Sequence, residues 1–558
     1  IIQLNSLVPS IVISEGATVK PASGEAVNFT RPVEFKVSSS SGKVNSYTII
    51  VSVPDSEPVI SKMAINDAIC PYDKTSGSYF YTLPVNNQNS AVIFLAGQHI
   101  ASLLIDGEAF LNGGIFSGSR FKPGNVIQIT PVNGLGTAGK PVNLVLTSLP
   151  LVMITTTETI VNDPKRVCHI SLIDPLNRTN TNQHFFPPHR AGIEIRGGLA
   201  QAFPKKSYGI EFWYPEIDEE VEEGTNLLGI RNDGDWILDA MYVDRARIRN
   251  RVSMDIWTDI SKVPHIGHQP NAVNGSRGYF VELFLNDIYQ GLYCLSDRVD
   301  RKQLKLDMKE GFSYKASHWS MSTEFISGDA PFNNSSDTWD GWELSYQGEN
   351  GATRSPRVKW EPLRDFIRFT AQSSNAVFKS ELESRIDLTN LADYLLVTNA
   401  LGADDNTGKN SFFSIYNDAN PRFFITAWDL DATWGRKWNG SKIDLRDGEF
   451  IGITGIPRTD SRYCRPNAFF QRVVQQNPSD IKRHMKERWQ QLRAGELSHN
   501  KLSARVETYK LQLIGSGAYD RERSRWPGSA EELNSETAFM ISWMQNRLRQ
   551  MDQIVNEL

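Results

Sequence analysis

Arg422-Phe423-Phe424-Ile425-Thr426-Ala427-Trp428-Asp429-Leu430-Asp431-Ala432-Thr433-Trp434-Gly435 is the stretch on which the reading of this chain turns. Its first half is apolar enough to be a strand buried on both faces, and it runs out into Asp429 and Asp431. Side chains two apart on an extended backbone face the same way, so the two carboxylates offer paired hard oxygen donors for a cation. Capping of a following turn explains the same residues, and the sequence leaves both explanations open.

Just upstream, Gly402-Ala403-Asp404-Asp405-Asn406-Thr407-Gly408-Lys409-Asn410 is a polar loop between the apolar stretch Leu391 to Leu401 and the strand-like Ser411 to Tyr416. Asp405 and Asn410, five apart, suit a carboxylate acting as base and an amide oxygen on magnesium, although an Asx-rich turn has the same composition. Far earlier in the chain stands Phe203-Pro204-Lys205-Lys206-Ser207-Tyr208. Lys205 and Lys206 open a strand and point to opposite faces, Lys206 with Tyr208, Ile210 and Phe212, Lys205 with Ser207. Parity does not choose between them, and for this motif alone a solvated basic strand start is the better reading. A lysine on an early strand, an Asp-x4-Asn and a later Asp are the parts with which a protein kinase moves a phosphoryl group, so the set points to ATP chemistry, although the usual kinase signatures are missing. Asp404, Asp405, Asp429 and Asp431 also read as a two-metal phosphoesterase cluster, but such sites usually include His, and none of the nine His falls in these motifs.

Around these motifs the chain is 558 residues long, enough for three or four domains. With 40% hydrophobic and 22% charged residues it has the composition of a globular protein. Its net charge of -5 lacks the basic field a nucleic-acid partner would require. Cys70, Cys168, Cys294 and Cys464 show no CxxC spacing and are expected to be buried thiols. No apolar run approaches the length of a membrane span, so no transmembrane segment is expected.

Up to Pro150 the chain reads as all-β. Val33, Phe35 and Val37 alternate with polar residues, a turn follows at Ser38 to Gly42, and Tyr47, Ile49, Val51 and Val53 alternate again. This is a sandwich-like module over 1–54, with a linker at Pro54-Asp55-Ser56-Glu57-Pro58. A second β-rich module over 58–148 has strands at Ala91 to Leu95, Leu103 to Ile105, Val126 to Thr130 and Val142 to Thr147. From 150 to 558 the pattern is mixed, β-rich over about 150–320 and helix-rich over about 355–558. A helix is expected from Arg245 to Ile260, capped by Asp244, with Ile248, Val252, Ile256 and Ile260 on one face. Strands at Tyr279 to Leu285 and Gly291 to Leu295 join through Asn286-Asp287. The last helix carries Ile541, Met544, Leu548, Met551 and Val555 on one stripe.

The ordered motifs resemble the spore-coat CotH family of atypical protein kinases over about residues 150–558. The resemblance rests on Ile195-Arg196-Gly197 ahead of the Phe-Pro-Lys-Lys-Ser-Tyr run, Leu227-Leu228-Gly229, Asp235-Trp236 and Arg249-Asn250-Arg251. It continues with Val281-Glu282-Leu283-Phe284-Leu285-Asn286, Tyr289-Gln290-Gly291-Leu292-Tyr293 and the Trp428 to Gly435 motif. It implies a two-lobed α+β kinase-like domain behind the two all-β modules, transferring the γ-phosphoryl of ATP to protein Ser or Thr with Mg2+ or Mn2+. By motif position it implies Asp405 as the catalytic carboxylate and Asn410 and Asp429 as metal ligands, with Asp431 also matching. One of Lys205 and Lys206 would contact phosphate, and Arg196 would line the same region. The family commonly carries a Glu after Gly-Leu-Tyr, where this chain has Asp297, which would bond ribose or a lysine. Where the family follows Arg-Gly with small polar residues, this chain has Gly197-Gly198-Leu199-Ala200-Gln201. The alternative is a catalytically inactive scaffold that binds a surface protein or glycan through the β-modules. Those modules and the missing initiator Met lead us to expect an exported protein at the cell envelope or surface.

Overall fold

The structure, a computed structural model, describes residues 4–51, 56–66, 68–83, 90–179, 185–214, 222–349, 359–443, 449–454 and 466–558. Cys464, Val53 and Pro54-Asp55 of the expected linker lie outside these residues. Two compact units are present, Ile1–Tyr81 with Val85–Leu146, and Thr82–Pro84 with Thr147–Leu558.

The first unit is all-β. Thr18–Lys20, Val33–Ser38 and Val44–Ile49 form an antiparallel three-stranded sheet. Alternation in Val33–Ser38 turns Phe35 into a small core with Val27 and Phe29. The partner strand Val44–Ile49 is exposed on both faces, Tyr47 and Ile49 included, so its alternation does not mark a covered face. Six-stranded and four-stranded sheets follow, burying Ile105, Ile127, Ile129 and Leu144 from the first and Met63, Ile65, Ile93 and Leu95 from the second.

The second unit begins with a closed barrel of seven strands in the order Leu151–Thr155, Arg166–Ile173, Phe185–Arg196, Ser207–Phe212, Asp235–Asp239, Ile288–Asp297 and Gly278–Leu285. Neighbours are antiparallel except where Gly278–Leu285 closes on Leu151–Thr155 in parallel. Asn286 and Asp287 take φ of 52° and 60°, as a two-residue hairpin turn of the primed type requires. One residue of each pair along a strand points inward: Ile193, Tyr208, Ile210, Trp236, Leu238 and Tyr293 fill the interior with others of their kind. The remaining cavity is apolar and of about 10 Å³, so the barrel is a packed core with no room for a ligand.

The helix of the β-rich part starts at Arg249 and runs to Ile260. Asp244 anchors its start from five residues upstream, accepting from the Ala246 amide at 2.9 Å and the Arg249 amide at 2.6 Å across a turn in which Arg247 has φ 63°. Ile248, Val252, Ile256 and Ile260 are all buried, as their spacing predicts.

The following part is not purely helical. Thr338–Trp339, Trp342–Gln347, Phe312–Ala316, Ser411–Asn417 and Asn420–Ala427 make a five-stranded antiparallel sheet. Helices Glu361–Gln372, Leu388–Leu401, Ala468–Gln476, Ile481–Ala494, His499–Gly515, Ala518–Arg525 and Leu533–Glu557 accompany it. Met544, Leu548, Met551 and Val555 of the last join one large core with the others. Cys70, Cys168 and Cys294 are free and buried, and burial pushes the Cys294 thiol up to about 12.

Candidate functional site

Two polar loops leave the five-stranded sheet at the same end. Helix Leu388–Leu401 ends at Gly402, whose φ of 73° is the usual helix stop, and the chain passes through Asp404–Thr407 to Asn410. Ser411 pairs with Ala427, so residues 402–410 and 428–435 lie side by side. The Asn406 amide donates to the carbonyls of Asn410, at 2.8 Å, and Trp428, at 2.9 Å, and staples the two strand ends. The Trp428 amide donates to the Asn410 carbonyl at 3.0 Å.

Asn410 and Asp429 both have left-handed backbones, φ 56° and 53°, a conformation in which Asn and Asp are the least penalised non-glycine residues. Asp429 is therefore not extended, and the strand parity expected to turn Asp429 and Asp431 the same way does not hold there. Asp405 accepts from the Asn410 side-chain amide at 3.1 Å and pairs with Lys409 at 2.8 Å.

The barrel brings a second set of groups. Register places Arg196 opposite Ser207 and Tyr208 opposite Leu238, so Arg196, Ser207 and Asp239 line up across three strands at one rim. Trp236, Leu238 and Ala240 point inward, which turns Asp239 out. Asp239 accepts from the Met241 amide at 3.0 Å and lies 3.4 Å from the Ser207 hydroxyl. The Arg196 guanidinium sits 5.9 Å from the centroid of Trp428, at the start of the acidic loop. Asn250 joins the two sets: its amide donates to Asp239 at 3.3 Å and its oxygen accepts from the Leu430 amide at 3.0 Å.

The electrostatics mark these residues out from the rest of the surface. Burial, then the fields of Asp239 and Asp405, raise the Asp429 carboxyl to about 6 against the relief of Lys409 and Lys315. Asp431 is raised well above the carboxylate range by burial and by Asp429, Asp239 and Asp405. Burial and Arg298 lower the Arg196 guanidinium, while Asp239 and Asp429 support its charge. Crowded carboxylates that raise one another are short of positive charge, and their oxygens are the hard donors that Mg2+ and Mn2+ prefer. The donor set therefore fits a divalent cation.

Structure separates the two lysines that parity left open. Lys205, just ahead of the strand, is 1% exposed; its ammonium donates to the Leu292 carbonyl, pairs with Glu522 at 2.8 Å and lies 4.4 Å from the Tyr293 ring centroid. Burial lowers it to about 8, with Glu522 opposing and Asp239 within electrostatic reach. Lys206 is tied locally, donating to the carbonyls of Gln201 at 2.7 Å and Phe203 at 2.5 Å. Glu522, from helix Ala518–Arg525, also binds Arg247 at 2.9 Å and the Leu292 amide at 2.9 Å. Burial acts to raise its carboxyl, but Lys205 and Arg247 outweigh it and hold the group below its usual range. Gly291, with φ 98°, makes room: a Cβ there would lie 2.2 Å from the Glu522 carboxylate.

Asp297 is not among these groups. Register sets it opposite Trp236, three residues along the barrel strand from Asp239, and its side chain, fully buried, accepts from the Arg277 amide at 2.6 Å. Burial raises its carboxyl while Arg231 and Arg277 oppose, so it serves the far end of the barrel. Glu222, Asp233 and Asp235 also cluster, but Lys302 binds the first two and Arg231 the second, so that charge is already met. The sequence reading passed over Asp239 and Glu522, and quoted Asn250 and Lys409 only within motifs, without a role. Strand parity around Trp236 and Leu238 marks Asp239; nothing local marks Glu522, 317 residues from its lysine.

Residues 193–551 match the family model described as CotH kinase protein, and residues 2–51 the one described as SGBP, N-terminal. Inner spore coat protein H of Bacillus subtilis (strain 168) is 24% identical over 287 residues, covering 50% of this chain and 67% of that protein. The N-terminal four Ig domains of Dscam1 isoform 6.44 give a TM-score of 0.10 at 12% identity, over 38% of this chain and 59% of that one, too slight a likeness to use. No described helix is long and apolar enough to cross a membrane.

Proposed function

The chain belongs to the CotH kinase protein family, and we propose that it transfers the γ-phosphoryl of ATP to a Ser or Thr hydroxyl of a protein at the cell envelope or surface. In this reading the barrel is the smaller lobe of a kinase-like domain and the five-stranded sheet with its helices the larger. The observation that carries it is that Asn250 ties Asp239 to the loop of Asp429 and Asp431, beside the Asp405, Lys409 and Asn410 loop, with the Asp429 and Asp431 carboxyls raised by burial and by acidic neighbours. Asp429 and Asp431, with the Asn410 amide oxygen and Asp239, would hold Mg2+ or Mn2+. When bound, the ion neutralises phosphate charge as the γ-phosphoryl leaves.

Asp405 holds the acceptor hydroxyl and takes its proton as the hydroxyl oxygen bonds to the γ-phosphorus. The bond from that phosphorus to the β–γ bridging oxygen breaks, and ADP leaves with the electron pair. The contact of Asn410 to Asp405 uses the amide nitrogen and leaves the amide oxygen for the ion. Lys409 steadies Asp405 and places positive charge next to the transferred group. Lys205 and Arg196 supply the cations of the barrel rim, Lys205 held by Glu522 as the strand lysine of a kinase is held by its helix glutamate.

A catalytically silent surface scaffold is the second reading. It is favoured by the full burial of Lys205, whose ammonium is already engaged by Glu522 and a carbonyl. In that case the all-β modules bind a surface protein or glycan.

Thermal unfolding with ATP and Mg2+ or Mn2+, on the wild type beside Asp429→Ala, separates the two. Ligand at ~100 times its dissociation constant adds ~2.7 kcal/mol. Stabilisation in the wild type that is lost in the variant supports the transferase; none in either folded protein supports the scaffold.

A further inference from the structure

We propose that Asn250 is the positioning residue of the metal site, holding the barrel carboxylate Asp239 and the loop carboxylates Asp429 and Asp431 at one fixed separation. The inference rests on the metal-dependent reading of the site given above. Asn250 stands in the first turn of helix Arg249–Ile260, and its two neighbours are committed elsewhere. Arg249 pairs with Asp244 at 2.7 Å and Glu536 at 2.5 Å and donates to the Thr433 carbonyl at 3.1 Å. Arg251 pairs with Asp255 at 2.6 Å and donates to the Ser276 carbonyl at 2.7 Å. The same helix grips the acidic loop again through Ser253, which lies 3.1 Å from the Thr433 hydroxyl and accepts from the Trp434 indole at 2.9 Å. The helix start is thus a fixed platform, and Asn250 is the one described side chain on it that reaches both carboxylate carriers.

What Asn250 touches fits the task. The Leu430 amide, between Asp429 and Asp431, donates to its oxygen, and its nitrogen donates to Asp239. The primary amide of Asn250 is uncharged and both gives and takes, through two atoms held on one rigid plane. An aspartate would add a further negative charge to a cluster that already raises its own carboxyls; a lysine or arginine would occupy the cation's place. Without the amide, three mutually repelling carboxylates lose this tie across the gap between strand end and loop, and the ion must assemble them on binding. Loss of an outer contact of this kind typically costs about 10- to 100-fold in metal affinity.

The test is a titration of the full-length, metal-free chain with Mn2+ alone, followed by thermal unfolding and by the spin-resonance signal of free Mn2+. Wild type, Asn250→Ala, Asn250→Ser and Asp429→Ala are compared. Asn250→Ala is expected to unfold near the wild-type midpoint without metal and to need about 10- to 100-fold more Mn2+ for half-saturation. Asn250→Ser, which keeps a donor and acceptor at shorter reach, should fall between, and carries the test if the alanine variant does not fold. Added to Asp239→Asn, the alanine change should have less effect than it has alone, because its partner is already altered. With saturating Mn2+, phosphotransfer by Asn250→Ala should recover toward the wild-type rate, which a collapsed site would not allow. Wild-type affinity in both Asn250 variants overturns the proposal while leaving the metal reading intact. No Mn2+ response in the wild type overturns the metal reading, and this proposal with it.

Discussion

Asp404 and Asp405 are adjacent and both buried, yet they meet different surroundings. Asp405 has Lys409 and Asn410; one oxygen of Asp404 has no hydrogen-bond partner among the described residues. Burial, then the charge of Asp405, raises the Asp404 carboxyl to about 7, against the pull of Lys437. The protonated form is therefore the one the fold favours: its contribution to stability is full below the ordinary carboxylate pKa and is lost as pH rises through about 7. A shift of that size corresponds to up to about 4 kcal/mol. Denaturant unfolding of Asp404→Asn, which imitates the protonated acid, is expected to show higher stability than wild type at pH 8 and little difference at pH 4. Asp405→Asn tests the neighbouring role. It should lower phosphotransfer about 10²–10⁴-fold and leave ATP stabilisation in place, whereas Asp429→Ala removes both. Residue type and order in the chain were enough to bring Asp405, Asn410 and Asp429 forward as candidates, and the structure sets Asp405 and Asn410 in contact. What Lys205 and Lys206 each meet was not legible, since parity says that two lysines diverge without saying which partners either will find.

At the scale of elements, the residue pattern found strands such as Val126–Val132 and Gly278–Leu285, passed over others such as Leu151–Thr155 and Arg166–Ile173 of the barrel, and missed what depends on partners. Val142–Thr147 and the apolar face of Arg249–Ile260 follow from the pattern of their own residues. The two strands Ser411–Asn417 and Asn420–Ala427 were also visible, but not that they share a sheet with Phe312–Ala316, far upstream in the chain. Helix Ala518–Arg525 is the sharper case. It looks like a polar surface helix, yet Glu522 accepts Lys205, Arg247 and the Leu292 amide, and Arg521 pairs with Glu282 at 2.7 Å. Removing one member of a buried ion network leaves the others uncompensated, at a typical cost of about 3–5 kcal/mol. Glu522→Gln keeps the shape and leaves Lys205 and Arg247 facing each other, so denaturant unfolding should register a loss of about that size. If the variant remains folded, weaker ATP binding by titration would follow from a lysine that is no longer held. Unchanged stability and affinity would reduce the helix to packing.

The whole molecule places all the proposed chemistry in one of its two units. Arg196, Lys205, Asp239, Asn250, Asp405, Asn410, Asp429, Asp431 and Glu522 all belong to Thr147–Leu558, and each of the cores that position them is made of residues from that unit. The first unit has strands and a core of its own. A chain beginning at Thr147 should therefore fold and keep the ATP and Mn2+ stabilisation of the full-length protein. It gives up Thr82–Pro84 of the same unit, with the bonds from the Thr82 hydroxyl to the Leu149 carbonyl, at 2.7 Å, and from the Leu83 amide to the Thr147 carbonyl, at 3.0 Å. Each bond is worth about 0.5–1.5 kcal/mol, which a core of this size can bear. Equal nucleotide affinity in the two forms would leave the all-β unit free for a different task, such as holding the protein at a surface. A folded fragment that no longer binds nucleotide would mean instead that the front unit completes the site. That outcome would require a contribution from the first unit that the composition of the site does not call for.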